Sequence, residues 1–172
     1  MIHRVIFLLF LVTFLGCNKT VEKPKVNQQE LEASISFLLD NWHQAASEAN
    51  YQEYFNKMDS LAVFIGTDAT ENWSKNEFSK FSKPYFDNGK AWSFKAIDRN
   101  IYTNENQDFV WFDELLTTWM GTCRGSGVLQ KKNGSWLIKH YVLSVAIPNE
   151  DVQNIIKLKQ KNDSIFIAKL PQ

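Results

Sequence analysis

FVWFDELLTTWMGTCRGSGVLQKKNGSWLIKHYVLSVAIPN, residues 109–149, decides the fold. β-branched and aromatic side chains run through it, interrupted at Gly121 and at Asn133-Gly134. Asn-Gly between two apolar runs is a hairpin signal, because both residues accept the positive φ of a type I′ turn. The stretch therefore reads as an antiparallel meander carrying Asp113, Arg124 and His140 on neighbouring strands. Side chains alternate across a strand, so Trp111, Asp113, Leu115, Thr117 and Trp119 share one face and Val110, Phe112, Glu114, Leu116 and Thr118 the other. Asp113 and Glu114 face opposite ways, which rules out a two-carboxylate acid/base pair made from these neighbours. Neither face is polar enough to be plainly solvated. The simplest covers are helices on one face and a second copy of the sheet on the other, a homodimer.

Upstream, Leu31, Ile35, Leu38, Leu39, Trp42, Ala46 and Ala49 recur at three- and four-residue spacing and predict an amphipathic helix of about five turns. Asn50 breaks it, and Tyr51, Tyr54, Phe55 and Met58 form a short second helix. Leu61 to Gly66 reads as a brief strand. Ser74 and Glu77 form a capping box and Trp73 with Phe78 a hydrophobic staple. The helix they open is expected to bury Phe78, Phe81 and Tyr85, bend near Pro84 and end at Gly89. Trp92 to Ile97 predicts a strand that Arg99 to Tyr102 continues past a bulge. Asn149 caps a last helix with Val152, Ile155 and Ile156 on its apolar edge. Helices followed by a curved antiparallel sheet give an α+β class with an added C-terminal helix.

The WFDE, CRGSGV and W-x-I-K-H-Y segments within this order of elements resemble the SnoaL-like branch of the nuclear transport factor 2-like superfamily. The resemblance covers about residues 28–149. It implies a sheet wrapped around the N-terminal helices as a cone with a pocket at its wide end, often paired through the sheet. SnoaL-type cyclases and ketosteroid isomerases use a single pocket Asp, which makes Asp113 the acid/base candidate with His140 as its partner.

The 172 residues suit one domain with short appendages, and 44% hydrophobic with 22% charged residues is ordinary globular composition. Nineteen basic against nineteen acidic residues give no electrostatic case for nucleic acid. Residues 1–16 read as a signal peptide, with a basic start at Arg4 and an apolar run too short to span a bilayer. Gly16-Cys17 closes that run and resembles a bacterial lipobox, which implies acylation (palmitate included) at Cys17 and a tether over residues 17–27. The envelope is then the location. Asn18, which is not the Asp that retains some lipoproteins at the inner membrane, points to the outer membrane facing the periplasm. Residues 150–172 form the C-terminal helix and tail.

Each chemical candidate has a plainer alternative. Asp113 among aromatics has the raised pKa that proton transfer wants, or it pairs with Arg124. Arg124, one of only three arginines, either clamps an anionic ligand or makes that salt bridge. A lone His140 on an apolar face is more often a hydrogen-bonded core residue than a catalyst. Cys123 with His140 and Asp113 suggests a hydrolase triad, but no nucleophile elbow accompanies it. Two histidines outside the signal segment, His43 and His140, have no metal-ligand spacing, so neither metal nor cofactor is expected. Trp42, Tyr54, Trp73, Trp92 and Trp111, with Arg124, are the candidate lining of an apolar pocket. The leading expectation is a lipid-anchored envelope protein whose cone binds a small, mostly apolar molecule. The alternatives are a pocket enzyme of isomerase, cyclase or hydrolase type, and a dimerising association module.

Overall fold

Apolar residues at helical spacing decide how the N-terminal half folds. Helix α1 (Gln28–Ser47) buries Leu31, Ile35, Leu39, Trp42, His43, Ala45 and Ala46 along one stripe. The Asn50 side chain accepts from the Glu53 amide and so caps helix α2 (Tyr51–Asn56), turning the residue that stops α1 into the start of the next helix. The computed structural model describes residues 27–171; the signal segment, Cys17 and nearly all of the tether lie outside them.

Strand β1 (Met58–Ile65) is followed by the short β2 (Asn72–Ser74), and then by helix α3 (Lys75–Asp87). Ser74 and Glu77 form the expected capping box, and the Trp73 and Phe78 rings stack at 5.6 Å. The buried face of α3 differs from the one expected. Phe78, Ser82 and Phe86 are buried, whereas Phe81 and Tyr85 are half exposed. Successive steps of four residues carry the stripe from Phe78 through Ser82 to Phe86, and the Ser82 hydroxyl is satisfied by donating to the Phe78 carbonyl at 2.8 Å.

The meander consists of β3 (Lys95–Thr103), β4 (Phe109–Thr118), β5 (Gly121–Lys132) and β6 (Ser135–Val145). Strand order across the six-stranded sheet is β2-β1-β6-β5-β4-β3, antiparallel except for the β1–β6 pair. Asn133 and Gly134 have φ of 51° and 85°, so the β5–β6 hairpin turns where Asn-Gly predicts it. The expected bulge in β3 falls between Ala96 and Asp98. A second bulge lies between Ile138 and His140 of β6, where the pairing with Val128 and Leu129 shifts.

This is an α+β fold in which a curved, unclosed sheet carries α1, α2 and α3 on its concave face. The core joins Leu31, Ile35, Leu39 and Trp42 of the helices to Val110, Phe112, Leu116, Leu129, Ile138 and Tyr141 of the sheet. A 3-10 turn (Asn149–Asp151) leads into helix α4 (Val152–Ile167), none of whose described residues is buried. Asn149 begins that turn, but no side-chain cap bond holds it.

Candidate functional site

Parity along β4 decides which carboxylate enters the cone, and it is Glu114. Val110, Phe112, Glu114 and Leu116 are all fully buried, while Trp111 is 47% exposed. Asp113 belongs to the convex face of the sheet, where Arg124 Nη1 meets its Oδ1 at 3.3 Å. Their side chains are 30% and 54% exposed, so the pair is a solvated surface contact. His140 is on the convex face too, because the bulge after Ile138 reverses the alternation. Ile138 and Tyr141 both point inward, and His140 pairs across with Val128. Asp113 and His140 are therefore not a cone-facing acid/base pair. Cys123 is fully buried on the opposite face from both, so the triad reading has no geometry either.

Inside the cone Glu114 anchors a network that runs across three strands and α1. Its Oε1 accepts from His43 Nε2 at 2.8 Å and from the Tyr141 hydroxyl at 3.0 Å. Its Oε2 accepts from Arg99 Nε at 2.9 Å and Nη2 at 2.8 Å, the bidentate geometry that suits a guanidinium. Arg99 also donates to the Ser36 carbonyl at 3.1 Å and reaches Asp40 at 2.9 Å. An ionised carboxylate only accepts, so the His43 hydrogen lies on Nε2. Burial acts to raise the Glu114 carboxyl; the His43 hydrogen bond and then Arg99 outweigh it and hold it below its ordinary value. Burial and the neighbouring Glu114 charge push the Tyr141 hydroxyl well up, so it stays a donor.

The glycines of CRGSG make room for this network. A Cβ at Gly125 would stand 2.2 Å from the Tyr141 hydroxyl oxygen and 3.0 Å from Glu114 Cγ; one at Gly127 would stand 2.8 Å from the Phe112 ring. Glycine is needed here for close approach across the sheet, not for positive φ.

At the wide end the aromatics form an open cavity of about 150 Å³. Trp73, Phe78, Phe81, Trp92 and Phe94 wall it, with Leu143 and the turn residues Trp119 and Met120 closing one side. The rings pack in series: Phe64 on Phe78 at 3.9 Å, Trp73 on Phe81 at 4.6 Å, and Phe78 on Trp92 at 5.6 Å. Gly66, Thr67 and Glu71 border the mouth. The loop they belong to is held by turn hydrogen bonds, with Asp68 Oδ1 accepting from the Thr70 amide and Glu71 Oε2 from the Asp68 amide. Of the expected lining residues, Trp73 and Trp92 are in the cavity. Trp42 and Tyr54 are 1% exposed and fill the core, stacked on one another at 4.8 Å, and Trp111 and Arg124 are on the convex face.

A second, more polar cleft lies between α1 and β3, with Asp40, His43, Gln44 and Ser47 on one side and Phe94, Lys95 and Ala96 on the other. Phe94 borders both spaces. Among the described residues no group of His, Cys, Asp and Glu could hold a metal ion.

A curved sheet carrying three helices, with the Glu114 network buried between them and an aromatic cavity at one end, is a nuclear transport factor 2-like fold. Residues 35–148 match the SnoaL-like domain family, and the chain belongs to it. Solved structures agree on the fold. An NTF2-like protein of unknown function from Pseudomonas putida is 13% identical, covering 71% of this chain and 91% of that one with a TM-score of 0.60. The association domain of CaMKII from C. elegans is 19% identical, covering 68% and 97% with a TM-score of 0.58. A putative aromatic ring hydroxylase from Novosphingobium aromaticivorans is 12% identical, covering 72% and 94% with a TM-score of 0.59. No curated protein matches the sequence.

Proposed function

We propose that the protein binds a small, mostly apolar molecule in the aromatic cavity at the wide end of its cone, from a lipid anchor at Cys17 in the cell envelope. The single observation that carries the binding is the open cavity walled by Trp73, Phe78, Phe81, Trp92 and Phe94. At about 150 Å³ it accommodates one aromatic ring or a short alkyl group. A longer ligand extends outward past Trp119, which is 81% exposed at the mouth. Gly16-Cys17 at the end of the apolar leader supports the anchor.

Mass spectrometry of small molecules carried by the tag-free protein tests the binding. Thr67 is exposed at the mouth, so Thr67→Trp closes the cavity without touching the core. The wild type is expected to carry a ligand that Thr67→Trp lacks; the same ligand load in both would remove the reading.

Association is supported by a separate observation. Tyr102 and Trp111 stack at 6.0 Å on the convex face, 45% and 47% exposed, in a cross-strand row with Val128, His140 and Val63. A large aromatic pair exposed on a sheet face marks an interaction surface, and a second copy of the same sheet is self-complementary to it.

A further inference from the structure

His43 is buried, with one ring nitrogen committed to Glu114 and the other without a hydrogen bond, and the residue borders the cleft between α1 and β3. Among the described residues the one buried side-chain polar atom without a partner is Trp42 Nε1. His43 Nδ1 makes no hydrogen bond, so it is in contact with the cleft that the ring lines. Glu114 Oε1 takes the Nε2 hydrogen at 2.8 Å, which fixes the ring and leaves the Nδ1 lone pair directed outward. The charged groups around the ring come from every element packed on it: Asp40 from α1, Lys95 and Arg99 from β3, Glu114 from β4, with the Tyr141 hydroxyl from β6. Arg99 is shared between Glu114 and Asp40 and Lys95 borders the cleft, so the two carboxylates are matched by two cations, and a proton gained by His43 is held by Glu114 Oε1 at its Nε2.

We infer that His43 Nδ1 is a proton acceptor for a small planar acid, a phenol or enol, bound in the cleft between α1 and β3. The Phe94 ring, 6.1 Å from His43, provides a face for a planar ligand. Lys95 and Ala96 of β3 border the cleft opposite α1. In the step, the ligand O–H bond breaks and an N–H bond forms at Nδ1. The electron pair stays on oxygen as phenolate or enolate, and the imidazolium is held by Glu114. Glu114 is a positioning residue here, since it acts through His43. This cleft is distinct from the aromatic cavity and its occupancy does not depend on that reading.

The probe is 4-nitrophenol, whose phenolate absorbs visibly, added to the full chain at a pH below the probe's own pKa. The expected result is about a tenfold gain in bound phenolate over buffer, a shift of about one unit. His43→Gln is expected to abolish it. Ser47→Trp, an exposed substitution that fills the cleft, should also abolish it at an unchanged melting temperature, and it decides the matter if His43→Gln fails to fold. Thr67→Trp, which closes only the aromatic cavity, should leave it intact. No phenolate band in the wild type, a band that survives Ser47→Trp, or loss only in Thr67→Trp would each overturn the inference.

Discussion

Two arginine–carboxylate pairs lie on neighbouring strands of one sheet, and replacing each Arg by Met distinguishes their worth. Arg99→Met removes two hydrogen bonds to a fully buried Glu114, one to the Ser36 carbonyl and an ion pair with Asp40. Asp40 is 63% exposed, so that last contact is worth about 0–1 kcal/mol. Glu114 dominates the cost, because its carboxylate stays buried with no cation beside it, a loss of about 3–5 kcal/mol. Spread over a chain of 172 residues that lowers the melting temperature by roughly 6–20 °C. Arg124→Met removes one 3.3 Å contact between half-solvated groups and should cost about 0–1 kcal/mol. Urea unfolding of both variants at neutral pH measures the difference. Equal destabilisation by the two, or an Arg99→Met cost below about 1 kcal/mol, would refute the burial argument.

Trp111→Glu places a charge within the exposed convex face and should convert a dimer of the full chain to monomer by light scattering, with unfolding little changed. Asp59 is 2% exposed, and the Leu61 amide first and Lys139 next lower its carboxyl from 3.8 to about 2; Glu114 is lowered as well. Both groups then bind protons more readily unfolded than folded. Their stabilisation is complete above the unfolded values and lost as pH falls, so urea midpoints should hold down to about pH 5 and drop between about pH 4 and 2, less steeply in Asp59→Asn. Gly125→Ala drives a methyl into the Tyr141 hydroxyl and Glu114, and thermal melts should show a loss of about 1–3 kcal/mol.

Periodicity made the architecture legible. The stripe of α1, the Ser74–Glu77 box, the β3 bulge and the Asn133-Gly134 hairpin all follow from local chemistry, and the structure has them. The site was less legible, because alternation shows that Asp113 and Glu114 oppose each other without showing which faces the helices. A bulge after Ile138 then inverts the parity of His140, and period-two counting cannot register a residue that pairs with nothing. Arg99 lies beyond another bulge, and its partner is fifteen residues away across a hairpin. One signal was available for His43: it sits on the same stripe as Leu39, Trp42 and Ala46, and a polar ring there requires a buried partner.

The indole N–H resonances of the ¹⁵N-labelled protein test the central claim most directly, because the six tryptophans sample each part of the molecule. Trp73, Trp92 and Trp119 border the aromatic cavity, Trp42 is in the core, and Trp111 is on the convex face. Titration with toluene, a ring sized to a cavity of about 150 Å³, is predicted to shift Trp73, Trp92 and Trp119 saturably while Trp111 stays in place. Saturable shifts centred on Trp111, or none at the three cavity indoles, would contradict the account.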